Sequence, residues 1–169
     1  MTEGREWIRI EREFDAPINT VWNLWTDADL FKQWYGPRGM SVPSAEMNVT
    51  VGGVRKVSMA MNSADRQMTM WITGVYKEVN PPNRLVYTES MCDETGKIIP
   101  PQSMGMPADF PDITEVIVDL NEVDGKTRMV MVHVGVEEGT AGAGGWNQAF
   151  DNQTHCGRIA LKRHLDGFL

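Results

Sequence analysis

Cysteine and positive charge are both scarce in this sequence of 169 residues. Its two cysteines, Cys92 and Cys156, are too few for a disulfide-stabilised fold, and free cysteines usually act as small buried residues in a reducing compartment. The 16 lysines and arginines are outnumbered by 23 aspartates and glutamates, which gives a net charge of -7. Because nucleic acids and anionic membranes both attract proteins with a basic face, this charge balance argues against either as the main partner.

Long apolar runs are missing as well. No segment approaches the roughly 20 apolar residues of a membrane-spanning helix, and the first residues, MTEGREWIRIERE, are too charged for a signal peptide. We therefore expect a cytoplasmic protein with no membrane insertion. A chain of this length fits one domain over residues 1–169, which is large enough to bury roughly 70% of the surface that the unfolded chain exposes.

The beginning of the sequence indicates one strand followed by two short helices. Over residues 6–14 apolar and charged residues alternate, which predicts a half-buried strand whose apolar face also contains Arg12. Residues 16–25 place apolar side chains at helical spacing after a proline. Either Thr26 or Asp27 can cap a second short helix, and Asp29 follows Thr26 at the spacing of a capping box. This helix is predicted to end at YGPRG.

The rest of the sequence predicts six more strands and one long helix. Four β-rich segments, the first of them VPSAEMNVTV, occupy residues 42–91 and are separated by Gly-Gly, NSAD and NPPN turns. After a proline-rich loop over residues 92–112, two strands are joined through Asp124 and Gly125. A flexible glycine-rich connection, EEGTAGAGG, then leads to a helix over residues 146–169. This order predicts an α+β fold in which the last helix covers the apolar face of a seven-stranded antiparallel sheet.

The last helix combines an apolar stripe with polar residues. The side chains that fall within about 60° of Trp146 on a helical projection are Phe150, Gln153, Gly157, Ala160, Leu161, His164 and Phe168. Burying Gln153 or His164 without a partner costs about 1 to 3 kcal/mol each, while Gly157 leaves space. Two interpretations follow: the stripe faces a wet or ligand-filled cavity, or these polar side chains form internal hydrogen bonds in a tight core.

The same helix does not predict a metal site. His155 and His164 are nine residues apart and point to opposite sides of the helix, with Cys156 on the flank between them. Zinc requires three or four converging ligands, and the sequence contains no CxxC or HxxxH pair to supply them. A nucleophile elbow is also missing. We expect neither a bound metal nor another cofactor, and we expect His155 to be exposed to solvent.

The strands place further polar residues in phase with apolar ones. If Met129 and Met131 face the last helix, His133 does so too, and Tyr87 and Glu89 share one face of an earlier strand. Arg12 is the natural counter-charge for a buried Glu89. One interpretation is that the pair of Arg12 and Glu89 is structural. The alternative is that Glu89 and His133 face a cavity and act as an acid and a base.

Aromatic residues and the proline-rich loop complete the candidates. The aromatic side chains of the two short helices predict a core between these helices and the sheet, with Trp34 and Tyr35 at the mouth of a cavity. The loop over residues 92–112 either closes over this mouth, with Met104, Met106 and Phe110 as adaptable apolar contacts, or has a disordered tip.

Five stretches of the sequence together resemble a known family: APINTVWNLWTDADLFKQWYGPRGM, VGGVRKVSM, GVYKEVNPPNRLVYTES, DGKTRMVMVH and GGW. They resemble the C-terminal domain of the activator of heat-shock-protein-90 ATPase, within the START-like, birch-pollen-allergen-like helix-grip superfamily (SRPBCC). The resemblance covers nearly the whole chain. It implies a curved sheet that grips the long helix around an internal cavity for an apolar ligand. It does not imply one function, because the superfamily includes lipid carriers, hormone receptors and polyketide cyclases.

Three functions therefore stay open. The leading hypothesis is non-enzymatic binding of a small, largely apolar molecule between the sheet and the last helix. The candidate ligand-binding residues are Arg12, Trp34, Tyr87, Glu89, Met129, Met131, His133, Trp146, Phe150, Gln153, Gly157 and His164. The second hypothesis is a module that interacts with a chaperone or with a second copy of itself. The third is a cyclase-like or hydrolase-like enzyme that uses His133 and Glu89.

Overall fold

The computed structural model describes residues 6–63 and 67–166, with the side chains among them except those of residues 62 and 158–166. Its elements in chain order are β1 (Trp7–Phe14), α1 (Ile18–Thr26), α2 (Ala28–Trp34), β2 (Met40–Ser41), β3 (Ala45–Met47), β4 (Val54–Asn62), β5 (Gln67–Asn80), β6 (Arg84–Cys92), β7 (Thr114–Val123), β8 (Lys126–Glu137) and α3 (Ala141–Asp166). The strands form one curled antiparallel sheet in the order β1-β8-β7-β6-β5-β4-β2, and β3 also pairs with β4. The predicted α+β helix-grip architecture is thus confirmed.

Two strands take the place of the one predicted from VPSAEMNVTV. The strand within this segment is β3, which is three residues long, and β2 lies just before it. Both pair with β4, at Ala60 and Val57 respectively, so the sheet has eight strands instead of seven. Pro43 stands between β2 and β3, and because proline has no N–H to donate, it interrupts the hydrogen-bonded ladder there.

The helix α3 begins at Ala141, five residues before the predicted start. The prediction of a flexible glycine-rich connection is wrong because tertiary packing outweighs the low helix propensity of glycine. A Cβ atom at Gly142 would lie 3.2 Å from the Val136 side chain and 3.5 Å from that of Ile8. The small residues therefore allow the first turn of α3 to pack closely on β1 and β8.

The hairpin between β7 and β8 has the turn that its sequence predicts. Both central residues have positive φ, 54° at Asp124 and 79° at Gly125. Such a two-residue turn twists in the same sense as the strands that it joins, which is why Asp-Gly is favoured there.

The core lies between the sheet and the three helices. Trp25 packs on Trp34 with ring centroids 4.8 Å apart, and Phe150 of α3 lies 6.0 Å from Trp25. The indole of Trp34 donates to the Leu24 carbonyl at 2.7 Å and is 0% exposed. Trp34 therefore lies deep in the core, and the prediction that it stands at the mouth of a cavity is wrong.

The loop over residues 92–112 is held by its own hydrogen bonds. The side-chain Nε2 of Gln102 donates to the Phe110 carbonyl at 3.0 Å and to the Pro107 carbonyl at 3.1 Å. Phe110 packs partly against the core, whereas Met104 is 38% exposed. Whether this loop closes over a bound molecule stays a prediction. Within the described residues, no helix is both long and apolar enough to cross a membrane.

Candidate functional site

A buried ion pair lies on the inner face of the sheet. Arg55 of β4 and Glu89 of β6 approach to 3.4 Å between Nη1 and Oε1, with 1% and 9% of their side chains exposed. The strand between them, β5, presents Gly74 directly opposite Arg55, so no side chain intervenes at that point. Removing both charges from water is costly, and it is compensated only when further hydrogen bonds satisfy the two groups.

Aromatic rings enclose the guanidinium of Arg55. Its Cζ atom lies 4.1 Å from the centre of the Tyr87 ring and 5.4 Å from that of Phe31. Burial by itself lowers the pKa of Arg55, but Tyr87 and Glu89 more than reverse this, so the group stays charged. Stacking of this kind is one of the ways in which proteins hold a buried guanidinium.

Several polar atoms around Arg55 lack hydrogen bonds. Nε and Nη2 of Arg55 have no partner among the described residues, and neither does the hydroxyl of Tyr87. Burial raises the pKa of Tyr76, and the charge of Arg55 and a side-chain interaction of the guanidinium with the Tyr76 hydroxyl oppose this. That interaction is not a hydrogen bond of ordinary geometry. Since most buried polar atoms in proteins are paired, this group of unpaired donors is unusual.

Glu89 receives a second hydrogen bond from the end of α2. The hydroxyl of Tyr35 donates to Oε1 at 3.3 Å. Burial, and then the charge of Glu89, raise the pKa of Tyr35, so that it remains a neutral donor. The hydroxyl of Thr114 also donates to the Glu89 carbonyl, at 3.5 Å.

His133 lies on the other side of Glu89 with both ring nitrogens in use. The indole N–H of Trp146 donates to Nδ1 at 3.0 Å. Because Nδ1 must accept, the neutral ring has its proton on Nε2, which donates to Thr114 Oγ1 at 2.9 Å. Oε2 of Glu89 lies 3.7 Å from Nε2, beyond hydrogen-bond distance. Burial lowers the pKa of His133, and Glu89 opposes this in part.

Most of the residues that the sequence predicts to face inward are buried. These buried residues are Tyr87, Glu89, Met129, Met131, His133, Trp146, Phe150 and Gln153.

The predicted pairing of Arg12 with Glu89 is wrong. Arg12 donates from Nη1 to Oδ1 of Asp151 at 2.8 Å and from Nη2 to Oδ1 of Asn147 at 3.2 Å, both on α3. β1 lies three strands away from β6, a distance of about 14 Å at the usual spacing, so Arg12 does not approach Glu89. It fastens the edge of the sheet to the helix instead.

Arg55 is not among the predicted site residues, although the sequence contains a signal for it. In VRKVSM, Arg55 has the same alternation phase as Val57 and Met59, both of which are buried. Phase alone therefore places Arg55 on the inner face. β4 is two strands from β6, and a long guanidinium side chain can bridge that separation.

The surroundings of Gln153 bear on the two interpretations of the α3 stripe, a cavity or a tight core with internal hydrogen bonds. It is 0% exposed, and neither Nε2 nor Oε1 has a hydrogen-bond partner among the described residues. Among the described residues, Gln153 therefore lacks the internal hydrogen bonds that the interpretation of a tight core requires. His164 belongs to the part of α3 whose side chains are not described. His155 is exposed, and burial raises the pKa of the Cys156 thiol beside it.

Gly157 borders a small cavity. This cavity has a volume of about 10 Å³ and is lined by Phe14, Asp15, Ala16, Val21, Leu24, Thr154 and Gly157. A cavity of this size holds about one water molecule. A larger molecule at this position needs the surrounding side chains to move. Within the described part of the chain, no group of three or more His, Cys, Asp or Glu side chains is placed to hold a metal ion.

Comparisons with known proteins agree with this architecture. The model of the family described as Activator of Hsp90 ATPase homolog 1-like protein matches residues 15–155. A crystal structure of a protein from Nitrosomonas europaea superposes with a TM-score of 0.72 at 17% identity, covering 92% of this chain and 96% of that one. A solution structure from Staphylococcus epidermidis has a TM-score of 0.72 at 22% identity, covering 94% and 93%.

A third similar structure has AHSA1, the short name of this family, in its description. This AHSA1 protein from Silicibacter pomeroyi has a TM-score of 0.67 at 20% identity, covering 93% of this chain and 99% of that one. At such identities the structural likeness shows the fold alone. No curated protein matches the chain. The family match, which spans most of the sequence, shows that the chain belongs to the Activator of Hsp90 ATPase homolog 1-like family.

Proposed function

We propose that the protein binds a small, largely apolar molecule with a polar end, between the sheet and α3, without converting it chemically. One observation carries the proposal: Arg55, Tyr87 and Gln153 are at most 1% exposed, yet each has polar atoms without a partner among the described residues. Each such atom costs about 1 to 3 kcal/mol in the absence of a hydrogen bond. A bound molecule with its own polar group would recover part of this cost.

The surroundings of these polar atoms favour an apolar remainder for the ligand. The interior walls consist of Phe31, Trp146, Phe150, Met129 and Met131. Methionine side chains adjust their shape at low cost, so the two methionines could accommodate a molecule that enters between sheet and helix. Ligand sites in proteins commonly combine such walls with a few polar groups that fix orientation.

The geometry of His133 favours binding over catalysis. Trp146 occupies Nδ1 and Thr114 occupies Nε2, so neither nitrogen is available to take a proton from a substrate. The 3.7 Å between its Nε2 and Oε2 of Glu89 is also longer than a hydrogen bond.

Entry of a ligand requires α3 to move away from the sheet. Two contacts at the edge of this helix are exposed: the ion pair of Arg12 with Asp151, and the hydrogen bond from the Arg38 N–H to Gln148 at 2.7 Å. Exposed contacts of this kind contribute about 0 to 1 kcal/mol each, so the main resistance to opening lies in buried contacts such as the hydrogen bond from Trp146 to His133.

Native mass spectrometry of protein purified from its own host tests the proposal. We expect a bound small molecule in the unmodified protein and its loss in Gln153→Leu, because leucine removes a buried polar contact. The matched control is Val54→Thr, at a residue that is 57% exposed on the outside of the sheet. Recovery of empty protein in every case contradicts the proposal if the neutral dye N-phenyl-1-naphthylamine also fails to bind with enhanced fluorescence.

A protein-interaction module is the second candidate. Val51, Val54 and Val75 are 70%, 57% and 40% exposed, and Val54 pairs directly with Val75 across β4 and β5. Together with the family match, this apolar surface supports docking to heat-shock protein 90. A pull-down of that chaperone should then succeed with the unmodified protein and with Val123→Asp at the distant β7–β8 turn, but fail with Val54→Asp. Failure with the unmodified protein removes this candidate.

A further inference from the structure

We infer that the polar end of the ligand is a neutral oxygen acceptor of the carbonyl type, which receives two hydrogen bonds from Nε and Nη2 of Arg55. The inference rests on the proposed binding function and names the chemical class of the ligand. It starts from Nε and Nη2, the guanidinium nitrogens that make no hydrogen bond of ordinary geometry with the described residues.

The guanidinium of Arg55 has distinct edges and faces. Nη1 donates toward Glu89 at 3.4 Å, and the Cζ atom lies over the Tyr87 ring, 4.1 Å from its centre. Nε and Nη2 share another edge, where their two N–H groups point in nearly the same direction. Neither makes a hydrogen bond of ordinary geometry with the described residues, and the hydroxyl of Tyr76 lies close to the guanidinium. A planar pair of donors of this kind is suited to an oxygen acceptor that approaches in the plane of the group.

Charge decides between a neutral and an anionic acceptor. Arg55 already has one counter-charge in Glu89, and Trp146 holds His133 in its neutral form. Burial raises the pKa of Tyr87 well above its ordinary value, so this phenol is neutral as well. A carboxylate ligand would add a second negative charge to a group that is almost fully buried, without a second cation to compensate it. That desolvation is costly, whereas a carbonyl oxygen avoids most of it.

The hydroxyls of Tyr76 and Tyr87 extend the donor set. Both are without a hydrogen bond of ordinary geometry among the described residues, and both lie beside the Arg55 guanidinium. Each can donate to a second lone pair or to a second oxygen of the ligand. An apolar ketone, ester or amide therefore fits the site better than a hydrocarbon or a fatty acid.

Three naphthalene probes of nearly equal size test this inference on the unmodified protein. They are 2-acetylnaphthalene, which has a neutral acceptor, 2-isopropenylnaphthalene, which has none, and 2-naphthoate, which is anionic. Their affinities can be measured by displacement of N-phenyl-1-naphthylamine. We expect the ketone to bind about tenfold more tightly than the hydrocarbon, since hydrogen bonds to a charged group are stronger than neutral ones. We expect 2-naphthoate to bind most weakly.

The variant Arg55→Lys tests whether the guanidinium causes the preference for the ketone over the hydrocarbon. Lysine keeps a positive charge near Glu89 but lacks the planar edge, so the preference for the ketone over the hydrocarbon should fall to about twofold or less. The control is Arg128→Lys, an exposed residue whose partner is Glu11 on the outside of the sheet. It should leave the tenfold preference unchanged. The ligand series on the unmodified protein remains decisive even where Arg55→Lys does not fold.

The outcomes separate this inference from the proposed function. Tightest binding by 2-naphthoate, equal binding of all three probes, or an undiminished preference in a folded Arg55→Lys variant each overturns the inference and leaves the binding function standing. Failure of all three probes and of the dye to bind overturns both. The expected order, with loss of the preference in Arg55→Lys, supports both.

Discussion

Trp146 donates its indole N–H to Nδ1 of His133 across 3.0 Å. An indole N–H can only donate, so this bond requires an unprotonated Nδ1 and places the proton of the neutral ring on Nε2. A doubly protonated imidazolium could not accept from Trp146. Burial lowers the pKa of His133 in the same direction, and the nearby charge of Glu89 offsets only part of the shift. The first turns of α3 are thus connected to β8 through a histidine that must remain neutral.

We predict that the folded protein loses stability as the pH falls below about 6.5, the ordinary pKa of histidine. Because the pKa of His133 is lowered on folding, the unfolded chain takes up a proton before the folded protein does. The contribution of His133 is complete above the unfolded pKa and is lost progressively down to the folded pKa. In that window the free energy of unfolding should fall by up to about 1.4 kcal/mol per pH unit, as measured by urea denaturation.

The substitution His133→Gln should reduce this pH dependence, since the amide of glutamine can accept from Trp146 without titrating. His155→Gln is the matched control, because His155 is an exposed histidine on α3. If the unmodified protein and His133→Gln lose stability in parallel over this range, the buried histidine is not the source of the pH dependence.

Gln153 should cost the ligand-free protein stability. Both polar atoms of its side-chain amide are buried without a partner among the described residues. Replacing it by leucine removes these unpaired groups, so Gln153→Leu should raise the free energy of unfolding by about 1 to 3 kcal/mol in urea denaturation. Gln33→Leu, at an exposed position of α2, should change it by no more than about 0.5 kcal/mol. A loss of stability in Gln153→Leu would show that the amide has a partner in solution.

The fold followed from the sequence because its signals are local and periodic. Alternation in the strands, the Asp124-Gly125 turn and the apolar stripe of α3 each specify an element, and one long helix can cover one sheet. The start of α3 did not follow, because glycines at Gly142 and Gly145 oppose a helix locally. Glycine at these positions allows α3 to pack closely on Val136, near Gly142, and on Pro37, near Gly145. These contacts depend on the tertiary fold and are not specified by the local sequence.

The centre of the site was harder to predict for a related reason. Glu89 and His133 were placed on the correct face by alternation, but the identity of the counter-charge depends on strand order. Arg12 and Arg55 are both in inward phase, and the order of strands puts Arg55 two strands from Glu89 and Arg12 three strands away on the other side. Side-chain phase does not specify this order. The unpaired atoms of Gln153 likewise depend on what α3 contacts.

Gly157→Ala should stabilise the protein. A Cβ atom at this position would lie 3.7 Å from Cδ1 of Leu24, an ordinary van der Waals distance, and would partly fill the adjacent cavity of about 10 Å³. Alanine is also favoured over glycine inside a helix by about 1 kcal/mol. Gly144→Ala is the control, because a Cβ atom there has no neighbour within 4 Å among the described residues and gains helix propensity alone.

We therefore expect the melting temperature to rise in both variants and to rise further for Gly157→Ala, where the new methyl group also gains packing contacts. Differential scanning calorimetry measures both. A smaller gain in Gly157→Ala than in Gly144→Ala would mean that the cavity is used by something that the methyl group displaces. In that case the same variant should also bind N-phenyl-1-naphthylamine more weakly than the unmodified protein.

The ion pair between Arg55 and Glu89 gives the largest expected effect on stability. Glu89→Gln keeps the shape of the side chain but removes its charge, which leaves a guanidinium that is 1% exposed without a counter-charge. Breaking a buried pair in this way costs about 3 to 5 kcal/mol. The exposed pair of Arg84 with Asp119, at 2.8 Å and more than a third exposed on both sides, provides the control. There Asp119→Asn should cost about 0 to 1 kcal/mol.

A double-mutant cycle separates the pair itself from the cost of an isolated charge. Arg55→Met with Glu89→Gln removes both charges, so the double variant should be more stable than the sum of the two single losses predicts. Equilibrium unfolding in urea gives all four free energies. If Glu89→Gln costs no more than Asp119→Asn, the interior around Arg55 is hydrated well enough to hold a single charge. Water that screens this charge would also remove the penalty against an anionic ligand, so the cycle independently tests the preference for a neutral acceptor.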